Sequence, residues 1–184
     1  LAARQPVIYA GGGVALGNAF EAVAALAEYL QCGVAMSPEG KGAVSDHSDL
    51  SFGAGFWPKS RLRTFGESCD LVLAVGTRLA LAPFAPETKI VHLDIDAVEI
   101  GRNYKNSVGL VGDARKTLEA LLERLRKATP PRASRKGERE ALRAELAEDG
   151  RQQPQDSITK SLRAGVPEDA IFVADMTQIG YYAR

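Results

Sequence analysis

The chain has 184 residues, enough for one ordinary domain and an appendage, and its 45% apolar and 25% charged content is that of a globular protein. Lysine plus arginine equals aspartate plus glutamate at 23 each, so the net charge is zero and nothing draws the chain to nucleic acid or to an acidic membrane surface. The two cysteines lack metal-ligand spacing, which with only two histidines argues against a zinc site and fits a reducing, cytoplasmic setting; no apolar run is long enough to span a bilayer.

Pro6 to Ala10 is a short apolar run closed by Gly11-Gly12-Gly13, as expected of a strand in a parallel sheet. Asn18 to Gln31 carries Phe20, Val23, Ala24, Ala27 and Leu30 at helical spacing, and Gly33 to Met36 reads as a second strand. Ser37 to Leu50 is expected to be loop. Ser60 to Ser68 reads as helix, and Asp70 to Val75 is the clearest strand. Pro83 and Pro86 hold the following stretch out of regular structure. Lys89 to Asp94 and Val108 to Val111 are strands, with a short helical stretch expected after Asp96. Asp113 caps a long helix, Ala114 to Lys127, with Leu118, Leu121, Leu122 and Leu125 on one face.

Beyond that helix, Thr129 to Lys136 is a linker bearing proline and arginine. Gly137 to Gly150 reads as a charged, solvated connecting helix, Ser157 to Ala164 as helix and Ala170 to Ala174 as strand. Strands alternating with helices predict an α/β fold. The expected architecture is a doubly wound parallel sheet of about five to six strands, Rossmann-like, with helices on both faces. A chain that starts without Met and stops within an apparent helical run is expected to be a piece of a longer polypeptide.

In an open sheet of this kind ligands sit outside the carboxyl ends of the strands. Gly12 and Gly13, Arg78, Asp94 and Ile95, and Gly112 and Asp113 all fall at such ends. A glycine bend admits a phosphate to the backbone, and an arginine can grip one through two N–H groups. The glycines are not spaced Gly-x-Gly-x-x-Gly, and no acid ends the second strand to hold a ribose, so a tight turn is an equal reading. Gly40-Lys41-Gly42 lacks a phosphate-loop pattern and reads as a closely packed loop, His47 as a solvated residue, His92 as a hydrogen-bonded interior histidine, and Asp113 foremost as a helix cap. No serine or cysteine is marked as a nucleophile.

Together, residues 6–13, Gly40-Lys41-Gly42, the Asp70 to Arg78 stretch, the His92 to Asn103 stretch and Val111-Gly112-Asp113-Ala114 resemble, in order, the central domain of thiamine-diphosphate-dependent enzymes of the acetolactate-synthase type. Residues 167–175 resemble the start of that family's third, cofactor-binding domain. The resemblance implies a central domain at 1–128, a linker with a charged helix at 129–156, and the start of a C-terminal domain at 157–184. It implies a lyase or carboligase acting on 2-keto acids, in which thiamine diphosphate serves as the electron sink and Mg2+ anchors it. The activating glutamate and the metal motif belong to N- and C-terminal domains that this chain lacks. Hence a homo-oligomeric parent and no turnover by the chain alone are implied.

Relatives hold a flavin (FAD) or an ADP unit on the central domain at positions matching Gly12, Gly13, Arg78, Asp94, Ile95, Gly112 and Asp113. This chain departs from the flavin pattern at Gly53 to Phe56 and after Arg78, so no tight flavin site is expected. In the third domain Thr177 and Gln178 match positions that contact the diphosphate, although Thr177 replaces a glycine and Ile179 a histidine. The alternative is a free-standing module binding ADP, FAD or NAD at the same sheet edge. An NAD-dependent deacylase is disfavoured because its zinc cysteines are missing.

Overall fold

The computed structural model describes residues 2–149 and 153–183. Six parallel strands form one sheet: β1 (Pro6–Ala10), β2 (Gly33–Met36), β3 (Ser51–Ala54), β4 (Leu71–Val75), β5 (Lys89–Asp94) and β6 (Val108–Val111). Their spatial order is β3-β2-β1-β4-β5-β6, so the order reverses between β1 and β4. That reversal is the crevice position of a doubly wound sheet. The helices are α1 (Gly12–Leu16), α2 (Phe20–Leu30), α3 (Arg61–Ser68), α4 (Ala114–Ala128), α5 (Lys136–Asp149), α6 (Gln155–Gly165) and α7 (Gln178–Tyr182). No described helix is long and apolar enough to cross a membrane.

Alternation within each strand divides the core into two layers. Ile8, Val34, Met36, Leu73, Val75 and Leu93 face α2 and α4, whose Val23, Leu26, Leu118 and Leu122 are buried against them. Val7, Tyr9, Ala35, Val72, Ala74 and Ile90 face the other way, onto Phe52, Leu62, Phe65 and Phe84. Strands buried on both faces need a continuous apolar run, which is why β1, β2 and β4 were legible as strands. Asp113 caps α4 as expected, accepting the Lys116 N–H at 2.9 Å.

Four expectations are corrected. The edge strand β3 was missed because Ser-Phe-Gly-Ala has no strand pattern of its own; pairing with β2 makes it a strand. The stretch after Asp96 is a run of turns over 97–101, not helix, with Asp96 accepting the Val98 N–H at 2.9 Å. Residues 170–174 form no strand, since no neighbouring strand completes their backbone bonds; Ile171 and Val173 stand 91% and 85% exposed.

The fourth correction concerns α5, expected to be a solvated connector. It packs on α3 and β3, with Leu142 and Leu146 against the second core layer. Its Arg139 is buried, at 7% exposure. Nε and Nη2 of Arg139 donate to Asp49 Oδ2 at 3.0 and 2.7 Å, and Nη1 donates to Gln31 Oε1 at 2.9 Å. A buried guanidinium is tolerated only when its donors are satisfied in this way. Gly150, where that helix was expected to end, lies outside the described residues.

Candidate functional site at the carboxyl edge of the sheet

Because every strand is parallel, the turns after β1, β4, β5 and β6 share one rim. The rim is tied from strand to strand by backbone bonds. Gly11 N–H donates to Val75 O at 2.9 Å, Gly76 N–H to Leu93 O at 2.8 Å, and Gly112 N–H to Asp94 O at 3.0 Å. Gly12, Gly13, Arg78, Asp94, Ile95, Gly112 and Asp113 are thus brought to one edge. Thr177 and Gln178 belong to a different substructure: the Thr177 hydroxyl caps α7 by accepting the Gly180 N–H of its first turn, and Gln178 Oε1 accepts from Gln155 Nε2 at 3.3 Å.

The glycine bend meets protein on both sides. Gly13 N–H already donates to Gly76 O at 3.0 Å. A Cβ on Gly13 would stand 2.6 Å from Gly76 Cα, and one on Gly12 would touch the Cβ of Glu39 at 3.4 Å. Gly40 closes the bend from the β2 side, where an added Cβ would be 2.1 Å from Ala10 O. The close-packed reading therefore holds for Gly40, whereas an added Cβ on Gly42 would meet nothing within 4 Å. A diphosphate needs free N–H donors and an open approach. Here the Gly11 and Gly13 N–H groups are spent on Val75 and Gly76, and Glu39 flanks Gly12, so the bend is packed against its neighbouring turns.

The carboxylates are likewise engaged locally. Asp94 Oδ1 accepts the Asp96 N–H at 3.0 Å, while Asp113 performs its cap. Arg78 and Ile95 are exposed on the rim, Ile95 at 76%. The backbone of Arg78 is held from the connection between β5 and β6: its carbonyl accepts from Asn103 Nδ2 at 2.7 Å. Next to it, His92 Nε2 lies 2.8 Å from Thr77 O. A carbonyl can only accept, so Nε2 carries the proton and His92 is the interior, hydrogen-bonded histidine expected. Glu39 and Asn103 are rim residues that motif reading did not single out. Asn103 sits nine residues after the end of β5, a spacing without local pattern.

Below the rim, the second layer carries an aromatic cluster: Tyr9 lies 5.1 Å from Phe56 and 5.6 Å from Phe84, ring centre to ring centre. Burial first, then Glu39 and Tyr104, push the Tyr9 hydroxyl well above its ordinary pKa, so it stays neutral and structural.

Neither cysteine is a nucleophile. Burial pushes the thiols of Cys32 and Cys69 up to about 12. At neutral pH the reactive thiolate is therefore all but absent. In the folded chain, neither should react with a thiol reagent such as dithionitrobenzoate at pH 7.5, whereas both should titrate in denaturant. Rapid labelling of the native chain would contradict this. Among the described residues no group of three or more His, Cys, Asp and Glu could hold a metal ion.

Residues 1–121 match the family described as thiamine pyrophosphate enzyme, central domain. A protein of Pseudomonas aeruginosa named "Probable 2-ketoarginine decarboxylase AruI" is 37% identical over 187 residues, covering 98% of this chain and 33% of that protein. A protein of Methanocaldococcus jannaschii named "Probable acetolactate synthase large subunit" is 36% identical over 129 residues, covering 66% of this chain and 22% of its own length. The "Acetolactate synthase" of Mycobacterium avium is 38% identical over 132 residues, covering 68% and 21%. The chain therefore spans a third or less of the length of the curated relatives it matches.

Proposed function

The chain belongs to the thiamine pyrophosphate enzyme family through its central domain, and from that premise we propose that it is the organising core of a larger thiamine-diphosphate-dependent enzyme that decarboxylates a 2-keto acid. The observation that carries the choice of decarboxylation is the extent of similarity. Likeness to the acetolactate synthases stops at about two thirds of the chain, whereas likeness to the named decarboxylase runs through the linker and the C-terminal segment. The reading divides the polypeptide into a central domain at 1–128, a linker at 129–156 and the beginning of a cofactor-binding domain at 157–184.

In such an enzyme thiamine diphosphate supplies an electron sink for the electrons released when carbon dioxide leaves. Of this chain's residues, Thr177 and Gln178 are the ones proposed to meet it: a hydroxyl and an amide can each donate to a diphosphate oxygen. The ligands for Mg2+ are placed in sequence outside this chain, in keeping with the lack of an acidic or histidine cluster among the described residues. Arg78 and Ile95, exposed on the rim, and Asp94, half-buried beside them, are the central-domain positions proposed to contact a small molecule or a neighbouring domain. No comparison favours a free-standing nucleotide-binding module. The whole enzyme is proposed to be a cytoplasmic homo-oligomer.

The test is release of carbon dioxide by the whole polypeptide with thiamine diphosphate and Mg2+. The panel of 2-keto acids includes 2-ketoarginine and pyruvate. Turnover that depends on thiamine diphosphate is the expected result, with no turnover by residues 1–184 alone. A whole polypeptide inert toward every 2-keto acid tried, or an active 184-residue chain, would overturn the reading.

A further inference from the structure

The segment after α4 is fastened to the sheet by four arginines at intervals of three or four residues. Arg132 Nη2 donates to Ala3 O at 2.9 Å and Arg135 Nη1 to Arg4 O at 2.8 Å. Arg139 binds Asp49 and Gln31 as described, and Arg143 Nη2 donates to Asp46 O at 2.7 Å. The first pair holds the start of the chain. The second pair holds the loop between β2 and β3, and that loop carries Lys41.

Within this loop the bonds continue toward Lys41. The Asp46 carboxylate accepts from Lys41 Nζ at 2.7 Å and from Ser51 Oγ at 3.1 Å. Lys41 in turn lines a recess shared with Phe172, Ala174, Asp175 and Tyr181 of the C-terminal segment. Two ties therefore join α5 to this loop: Arg139 to Asp49, and Arg143 to the Asp46 carbonyl, with the Asp46 carboxylate meeting Lys41 where the C-terminal segment reaches the loop. Arg139 makes the buried one of these two ties, and the other ion pairs on α5 are surface pairs of small worth.

We propose that Arg139 and Asp49 form a latch that sets α5 and the Lys41 loop in a single register, making Arg139 a positioning residue for the parent enzyme's reaction. The proposal rests on the decarboxylase reading above. Arg139 touches no reacting group in it. It acts by fixing the loop on one side of the recess and the direction in which the chain enters the following domain. Misplacement of a supporting element by a small distance is enough to lower turnover without abolishing binding.

The test uses the whole polypeptide and four variants: Arg139→Ala, Asp49→Asn, the double variant, and Leu142→Ala, which removes α5 packing without touching the loop. Three readouts separate positioning from mere stability: kcat against KM for the preferred 2-keto acid, the thermal midpoint, and amide hydrogen exchange over residues 41–51 and 136–165. Expected is a loss in kcat on the order of tenfold for Arg139→Ala and for Asp49→Asn, with KM little changed. Their double variant should be no worse than either alone, and exchange should quicken in 41–51 as well as in α5. Leu142→Ala should lower the thermal midpoint but spare kcat.

Equal kcat losses for Arg139→Ala and Leu142→Ala, or unchanged exchange over 41–51, would overturn the latch. Should Arg139→Ala not fold, Arg139→Lys, which keeps the charge but cannot reach both partners, carries the same comparison. A wild-type polypeptide without 2-keto-acid turnover would sink the decarboxylase reading, while the exchange comparison would still decide whether the latch exists.

Discussion

Replacing Gly76 with alanine should destabilise the fold by about 4 kcal/mol, the sum of backbone strain and overpacking. Gly76 has φ +56°, in the left-handed region that costs a residue with a Cβ. It also lies where two turns touch: an added Cβ would be 2.5 Å from Gly13 Cα and 2.9 Å from Gly13 C. Both neighbours are backbone, so neither can swing aside as a side chain would. The Gly13 N–H bond to Gly76 O would be broken by the separation needed to relieve the clash.

Gly12→Ala is the internal control. Its Cβ would meet Glu39 at an ordinary contact distance of 3.4 Å, at the start of a helix, and the expected cost is under about 1 kcal/mol. Denaturant unfolding of the two variants should differ clearly in midpoint at similar slope. Equal midpoints would show that the rim turns are not pressed together.

A chain ended at Ala128 should lose about 4 kcal/mol, although 128 is where the periodicity of α4 suggests that the domain closes. The loss comes from the second core layer. Leu142 and Leu146 are withdrawn from it, at roughly 1–2 kcal/mol each, and the Phe52 and Leu62 face they covered is left to water. Asp49 and Gln31 return to solvent, so they add little once α5 is gone altogether. Removing only the arginine would be worse for them, because one half of a buried pair would stay behind. With native stabilities of about 5–15 kcal/mol, the shortened chain should still fold in part and unfold at distinctly lower denaturant than a chain ended at residue 149. Matching unfolding curves would return α5 to the role of a passive tether.

The α5 result shows how far local pattern reaches. Arg139, Leu142, Arg143 and Leu146 recur at intervals of three and four, so the docked stripe was present in the sequence. It reads as a solvated face because two of its four members are charged, and charge on a helix ordinarily means solvent. Their docking rests on Asp49 and Asp46, some ninety residues away, which no local window contains. The edge strand β3 failed to show for the converse reason: its residues have no strand pattern, and the ladder from β2 imposes one.

Apart from β3 and the turns after Asp96, strand and helix identity over residues 6–128, the parallel sense of the sheet and the gathering of Gly12, Arg78, Asp94 and Asp113 at one rim are legible from residue order. Burial on both faces demands apolar runs, and parallel strands place every following turn on the same side. Whether that rim is open could not be read in the same way. Gly-Gly-Gly looks the same to a phosphate as to a neighbouring turn, and the choice rests on distances between chain segments far apart in sequence. The packed state assigns those glycines to Gly76 and Gly40, and it draws α5 onto the domain it was expected only to leave.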